Sequence, residues 1–350
     1  MTDLPCTPGR RTVLAGGLAV LLGVAGCGSG SGRSSAPSSG TAPGSGTATP
    51  TGPTTPSSSP SAPASPAPSP SATLPATTPW EPGPGEVSPD VKRRAVELVE
   101  ALGAWSTGGQ GLAAAQQRVA ALGLPPSLAD QAGPLLPAAP QAALQVVDAQ
   151  YGGILADSAS VLVVCRQWTL AADGTLTPGG TTVDVRLSRA EPRWTVTALH
   201  PADPGPAAAT LPTAAAQVLA EQRIQLPPAA VADLRSGTVH DSVLQAMLAL
   251  SRDYTFQVSV VRSGHPLNVF GTTRPSDHPQ GRAFDTWQID GHPVVDPATP
   301  PELVDGFMRA VAAAGSYNVG GPRQLSGGRT ANQFFSDPTH QDHVHAGFLT

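Results

Sequence analysis

The chain has 350 residues, 39 of them proline and 38 glycine, with only 4% aromatic and 13% charged side chains. Part of it therefore cannot bury a core, and a collagen, a coiled coil and a polytopic membrane protein are excluded. The formal net charge is -5 and the single lysine is Lys92, so the counterion release that drives nucleic-acid binding has no source and nucleic acid is excluded as a partner.

At the N-terminus, Arg10 and Arg11 precede a thirteen-residue apolar run, Val13 to Ala25. That is the length of a signal segment and short of the roughly 20 residues a spanning helix needs. Residues 1–26 read as a signal peptide. The run closes on Val24-Ala25-Gly26-Cys27, which resembles a bacterial lipobox; the resemblance implies diacylglycerol on the Cys27 sulfur and anchoring to the outer face of the cytoplasmic membrane, within the cell envelope. Arg-Arg-Thr-Val-Leu is also similar to a twin-arginine signal.

Residues 27–86 read as a disordered linker: from Gly28 to Glu86, 59 residues hold 14 prolines and 9 glycines, and the large apolar side chains are Leu74 and Trp80. As a coil that length spans about 40–45 Å, and about 180 Å as extended polyproline. Cys6 falls in the signal and Cys27 would be acylated, so Cys165 has no disulfide partner. Its apolar surroundings, Val161-Leu162-Val163-Val164, predict a buried and inert thiol.

Two globular parts follow. Pro89–Ala104 reads as a helix, with Ser88 as N-cap, Pro89 in the first turn and Val91, Ala95, Leu98, Val99 and Leu102 on one face. A second helix is predicted over Gln110–Leu122. Valine- and threonine-rich strands are predicted at 160–170, 181–188 and 193–200, separated by Asp173-Gly174 and Gly179-Gly180. Helices before an antiparallel sheet give an α+β unit over 87–203, whose element order resembles the nuclear-transport-factor-2-like fold. Trp105, Tyr151 and Trp168 suit either the lining of a pocket in such a cone-shaped fold or its core, and core packing is favoured for all three. Asp203-Pro204-Gly205-Pro206 marks the boundary to a second part, 210–350. There a helical stretch begins near Thr213, helices are predicted over His240–Ser251 and Pro301–Ala314, and a strand over Thr255–Val261.

Six of the eight histidines lie between His265 and His345. Four sit in two short contexts, Ser276-Asp277-His278-Pro279-Gln280-Gly281-Arg282-Ala283-Phe284-Asp285 and His340-Gln341-Asp342-His343-Val344-His345. Catalytic zinc takes three imidazole or carboxylate ligands and keeps a fourth position for water. His278 and Asp285 converge if a turn at Gly281 leads into a strand. In an extended His343-Val344-His345 the two imidazoles share one side.

The pattern Ser276-x-His278-x-x-Gly281-x-Ala283-x-Asp285 with His343-x-His345 resembles the zinc D-alanyl-D-alanine carboxypeptidase and dipeptidase group, whose fold is shared with LAS-type murein endopeptidases and hedgehog domains. The resemblance covers about residues 235–350 and looks most like the actinobacterial branch. It implies zinc on His278, Asp285 and His345, and peptidoglycan stem peptides as substrate. It also implies a base that is either a glutamate three residues before the late histidine or the first histidine of His-x-His. Asp342 is one methylene shorter than that glutamate, so His343 is favoured as base with Asp342 supporting it. The family's arginine after Ser-Gly is replaced by His265-Pro266, which leaves Arg262, Arg274 or Arg282 to supply the charge. Arg274 and Ser276 are the substrate-binding candidates, although Ser276 equally suits a turn cap. His265, His292 and His340 are expected to be structural or supporting. Two readings remain open: a zinc peptidase, and a non-catalytic envelope lipoprotein that binds murein or a partner through the same fold.

Overall fold

A computed structural model of the protein describes residues 72–350; the expected signal peptide, Cys27 and most of the expected linker lie outside the described residues. Residues 72–86 correct the linker boundary, because they lie on the folded body. Gln145 holds the Thr78 backbone at both ends, donating to its carbonyl at 2.9 Å and accepting from its N–H at 2.8 Å. The Trp80 N–H donates to Glu100 at 3.0 Å, and its ring packs on the first core. Composition averaged over 59 residues hides this short anchored end.

Helix α1 spans Pro89–Gly103 and α2 spans Leu112–Ala121. Asp90 complements the positive end of α1, and its apolar stripe is buried. Ser88 is not the expected cap: it sits at φ 42 with no capping bond, because the chain bends around the Tyr151 hydroxyl, which donates to the Val87 and Ser88 carbonyls at 2.9 and 3.0 Å. Two 3-10 turns lead to β1 (Gln141–Ile154), β2 (Ser158–Leu170), β3 (Leu176–Ser188) and β4 (Thr195–Pro201), an antiparallel meander in that order. The strands predicted for β2, β3 and β4 are present with shifted ends, but β1 has no counterpart in the prediction. Its Gln-Ala-Ala-Leu-Gln opening has helical propensity, and pairing along the whole of β2 overrides it.

The second part contains α3 (Thr213–Ala220), β5 (Ile224–Gln225), α4 (Pro228–Arg235), α5 (Asp241–Leu250), β6 (Phe256–Val260), β7 (Ala283–Ile289), β8 (His292–Pro293), α6 (Pro301–Ala313), β9 (Asn318–Gly320), β10 (Phe334–Phe335) and β11 (Val344–Gly347). The mixed sheet runs β10-β9-β11-β7-β6-β5, with β8 paired to β7. The architecture is α+β. Each sheet backs its own apolar core, one built around Leu98, Leu102, Tyr151 and Val163, the other around Phe256, Phe284, Phe307 and Val344. The facing surfaces of the two parts mix polar contacts, such as Gln150 to Asp285, with apolar ones, such as Gly153 against the Phe270 ring. No helix among the described residues is long and apolar enough to cross a membrane.

Cys165 lies in the first core at 0% exposure, and burial pushes its thiol up to about 12. A thiol reagent is expected to leave Cys165 unlabelled in the native protein and to label it on unfolding, read by peptide mass spectrometry; labelling at equal rates in both states would contradict the burial.

Candidate metal centre

The site is assembled by local geometry from a 3-10 turn and two adjacent strands of the mixed sheet. His278 opens a 3-10 turn, His278–Gln280, that Gly281 ends at φ 70. A side chain at Gly281 would collide with the Thr238 carbonyl, so only glycine makes this turn. Arg282 and Tyr317 pin the turn by donating to the two Asp277 oxygens at 3.0 and 2.6 Å. Strand β7 then carries Asp285, and antiparallel β11 sets His345 directly opposite it. Cross-strand partners of this kind hold their Cβ atoms about 4.5–5.5 Å apart. Val344 turns the other way into the second core.

Three donor atoms meet there. His278 Nε2 lies 3.1 Å from Asp285 Oδ1 and 3.2 Å from His345 Nδ1, and His345 Nδ1 lies 2.9 Å from the same Asp285 oxygen. His278 Nδ1 faces the Val261 carbonyl at 2.8 Å, which assigns its proton to Nδ1 and leaves the Nε2 lone pair pointing at the other two donors. A tetrahedral ion with bonds of about 2.0–2.1 Å keeps its donors about 3.3 Å apart, so the spacing of these atoms suits a metal ion.

His265 enlarges the group. The sequence reading kept it outside the ligand set, yet His265, His278 and Asp285 bring their ligand atoms within 4.8 Å of one another and could hold a metal ion. The His265 ring stacks on His278, with centroids 4.1 Å apart. Ser276 Oγ accepts from the His278 N–H at 3.4 Å and faces His265 Nδ1 at 3.3 Å, so the hydroxyl serves the turn and the histidine pair.

His343 stands beside the trio, its Nε2 3.9 Å from Asp285 Oδ2 and its Nδ1 2.6 Å from Asp342 Oδ1. Asp342 is thus a partner of the imidazole, with its second oxygen held by Lys92 Nζ at 2.5 Å and the Tyr151 N–H at 3.0 Å. Burial would raise Asp285, but the imidazoles of His278 and His343 outweigh it and hold the carboxyl well below the usual range. Burial drives His345 down to about 4, leaving its nitrogen free for a metal at neutral pH. Burial also opposes charge on His343, yet Asp285 and Asp342 raise it to about 8. Asp342 resists its own burial chiefly through Lys92 and falls to about 2.

The trio opens onto a cleft of about 760 Å³ whose lining includes Arg274, Ser276, Tyr317, Phe335 and His340. Gly153 lets β1 close one wall, since a side chain there would collide with the Phe270 ring. Comparisons with family models, curated proteins and solved structures find no match. What the site can do is read from its own donors: a buried His/Asp group for a cation, an oriented imidazole beside it, and a cleft large enough for a short peptide.

Two residues that the sequence did not single out for the site, Lys92 and Gln150, converge on it, and His265 comes closer to the donors than the supporting role expected of it. His265 had no local pattern to mark it, because stacking across a loop brings it in. Lys92 and Gln150 come from the first core; the available signal was the chain's single lysine, one residue after Val91 on a helix face that buries Val96 and Val99.

Proposed function

We propose that the chain is a lipid-anchored zinc peptidase acting on D-amino-acid-containing peptidoglycan stem peptides, tethered by Cys27 and residues 28–71 so that the cleft reaches the wall. The observation that carries this reading is the convergence of His278 Nε2, Asp285 Oδ1 and His345 Nδ1 within 3.2 Å, with His343 held beside them by Asp342. The motif resemblance adds the substrate class.

His278, Asp285 and His345 would hold the zinc, with His265 adjacent. Bound zinc supplies Lewis acidity, lowering the pKa of a water and polarising the scissile carbonyl. His343, which carries its proton at neutral pH without metal, would lose it to the charge of the bound cation and could then accept the water proton at Nε2 and return it to the leaving amine, while Asp342 keeps the other proton at Nδ1 and stabilises the imidazolium between the two steps. Arg274 lines the cleft and would meet a substrate carboxylate there.

Digestion of purified muropeptides in the presence of zinc tests the reading. Release of D-alanine or of shortened stem peptides by the wild type, lost in His343→Ala, is expected. Binding of muropeptides without turnover, unchanged in His343→Ala, would support the non-catalytic reading instead.

A further inference from the structure

We infer that the metal centre is composite: α1 and β1, which belong to the first core, fix a metal ligand and the base of the second part, with Gln150 and Lys92 as positioning residues. The inference rests on the zinc-peptidase reading for the chemistry but on separate contacts for the geometry.

Gln150 is fully buried, and its Nε2 donates to Asp285 Oδ2 at 2.7 Å. The Ser259 hydroxyl donates to its Oε1, which sets the amide with its N–H toward the carboxylate. Asp285 then has one oxygen occupied and offers Oδ1 alone to the point where His278 and His345 meet, as a monodentate ligand does. The next residue, Tyr151, uses its backbone N–H on Asp342, and Ile154 N–H reaches Thr339 Oγ1 at 3.4 Å. β1 is the outer strand of its sheet, so this free edge is covered by the segment that precedes His343.

Lys92 is also fully buried, between Glu86 and Asp342. An apolar side chain would fill the same place with less desolvation cost, so a buried ammonium is weak as a device for stability. Its charge acts on Asp342, whose Oδ2 is saturated by Lys92 and Tyr151, leaving Oδ1 for His343 Nδ1. That bond fixes which imidazole nitrogen faces the cation.

The test uses the full chain and titrates Co2+, read by its visible ligand-field bands, alongside muropeptide kinetics. Gln150→Leu is expected to weaken Co2+ binding by roughly 10- to 100-fold. Ser259→Ala, which releases the amide with little loss of volume, should weaken it less but in the same direction and decides the matter if Gln150→Leu does not fold. Gln167→Leu is the structural control: Gln167 is a buried glutamine of the same sheet that donates to the Gly103 and Leu135 carbonyls at 2.8 and 2.9 Å, and its loss should lower stability without changing cobalt affinity. Lys92→Met should lower kcat at least about 10-fold with KM and cobalt affinity unchanged. Wild-type cobalt affinity in both Gln150→Leu and Ser259→Ala, or an equal loss in Gln167→Leu, would overturn the inference. A wild-type chain that binds no cobalt would overturn the metal reading itself, and one that binds cobalt without turnover would overturn the peptidase reading while the Gln150 comparison still decides the positioning role.

Discussion

Replacing His343 by alanine is expected to lower muropeptide cleavage by roughly 10²- to 10⁴-fold, the usual worth of a positioned general base, while zinc stays bound. His343 is not among the three atoms that meet at the centre; its Nε2 is 3.9 Å from Asp285 Oδ2 and its other nitrogen is committed to Asp342. Asp285→Ala should behave differently. It removes the oxygen that faces both His278 and His345, and it leaves Gln150 without its acceptor, so zinc binding and cleavage should be lost together. Equilibrium dialysis against zinc, run beside the digestion assay, separates the two patterns. Loss of zinc in His343→Ala with cleavage surviving in Asp285→Ala would reverse the roles given to the two residues.

Stripping the metal with a chelator is expected to lower the melting temperature by on the order of 10 °C: free zinc at 1,000 times its dissociation constant stabilises by about 4 kcal/mol, and each kcal/mol moves a domain of this size by about 2–4 °C. The stripped protein should also lose stability between pH 6.5 and 8.5. His343 is raised from 6.5 to about 8 in the folded state, so its contribution is complete below pH 6.5 and lost as pH rises through about 8. Asp148 and Glu86 are both raised to about 7, by burial above all, so what they contribute is present at acid pH and gone above neutrality. His345, lowered to about 4, runs the other way, but its effect is confined to the window between about 4 and 6.5. Above 6.5 nothing in this group opposes the fall, of which His343 contributes on the order of 2 kcal/mol. Thermal melts in chelator at the two pH values measure it. With zinc present the slope should flatten, because a cation at the centre would repel the proton on neighbouring His343 and bring its folded value back toward the unfolded one; a stripped protein with a flat profile would contradict the charge arrangement around His343.

The parts of this molecule that sequence makes legible are those built by short-range geometry. The turn-then-strand that joins His278 to Asp285 spans seven residues, and His343-x-His345 lies at the start of one strand, so both could be read from spacing. Helices α1, α5 and α6 follow from apolar periodicity and proline or glycine punctuation. The supporting contacts were not readable in that way, because Gln150 reaches Asp285 across 135 residues and Lys92 reaches Asp342 across 250. β1, which carries Gln150, has helix-favouring residues at its start and becomes a strand only by pairing with β2. Ser276 illustrates a role that sequence left open between substrate contact and turn cap; its hydroxyl sits on the His278 N–H and beside His265. Asp148 has a buried carboxylate oxygen without a hydrogen-bond partner, and no local pattern marks it.

X-ray absorption at the zinc edge on the zinc-loaded full chain tests the central claim most directly. One zinc per chain is predicted, with a first shell of nitrogen and oxygen at about 2.0–2.1 Å, imidazole scattering from at least two histidines and no sulfur. A chain that retains no zinc, or a zinc shell with sulfur or with water oxygens alone, would contradict a centre built on His278, Asp285 and His345.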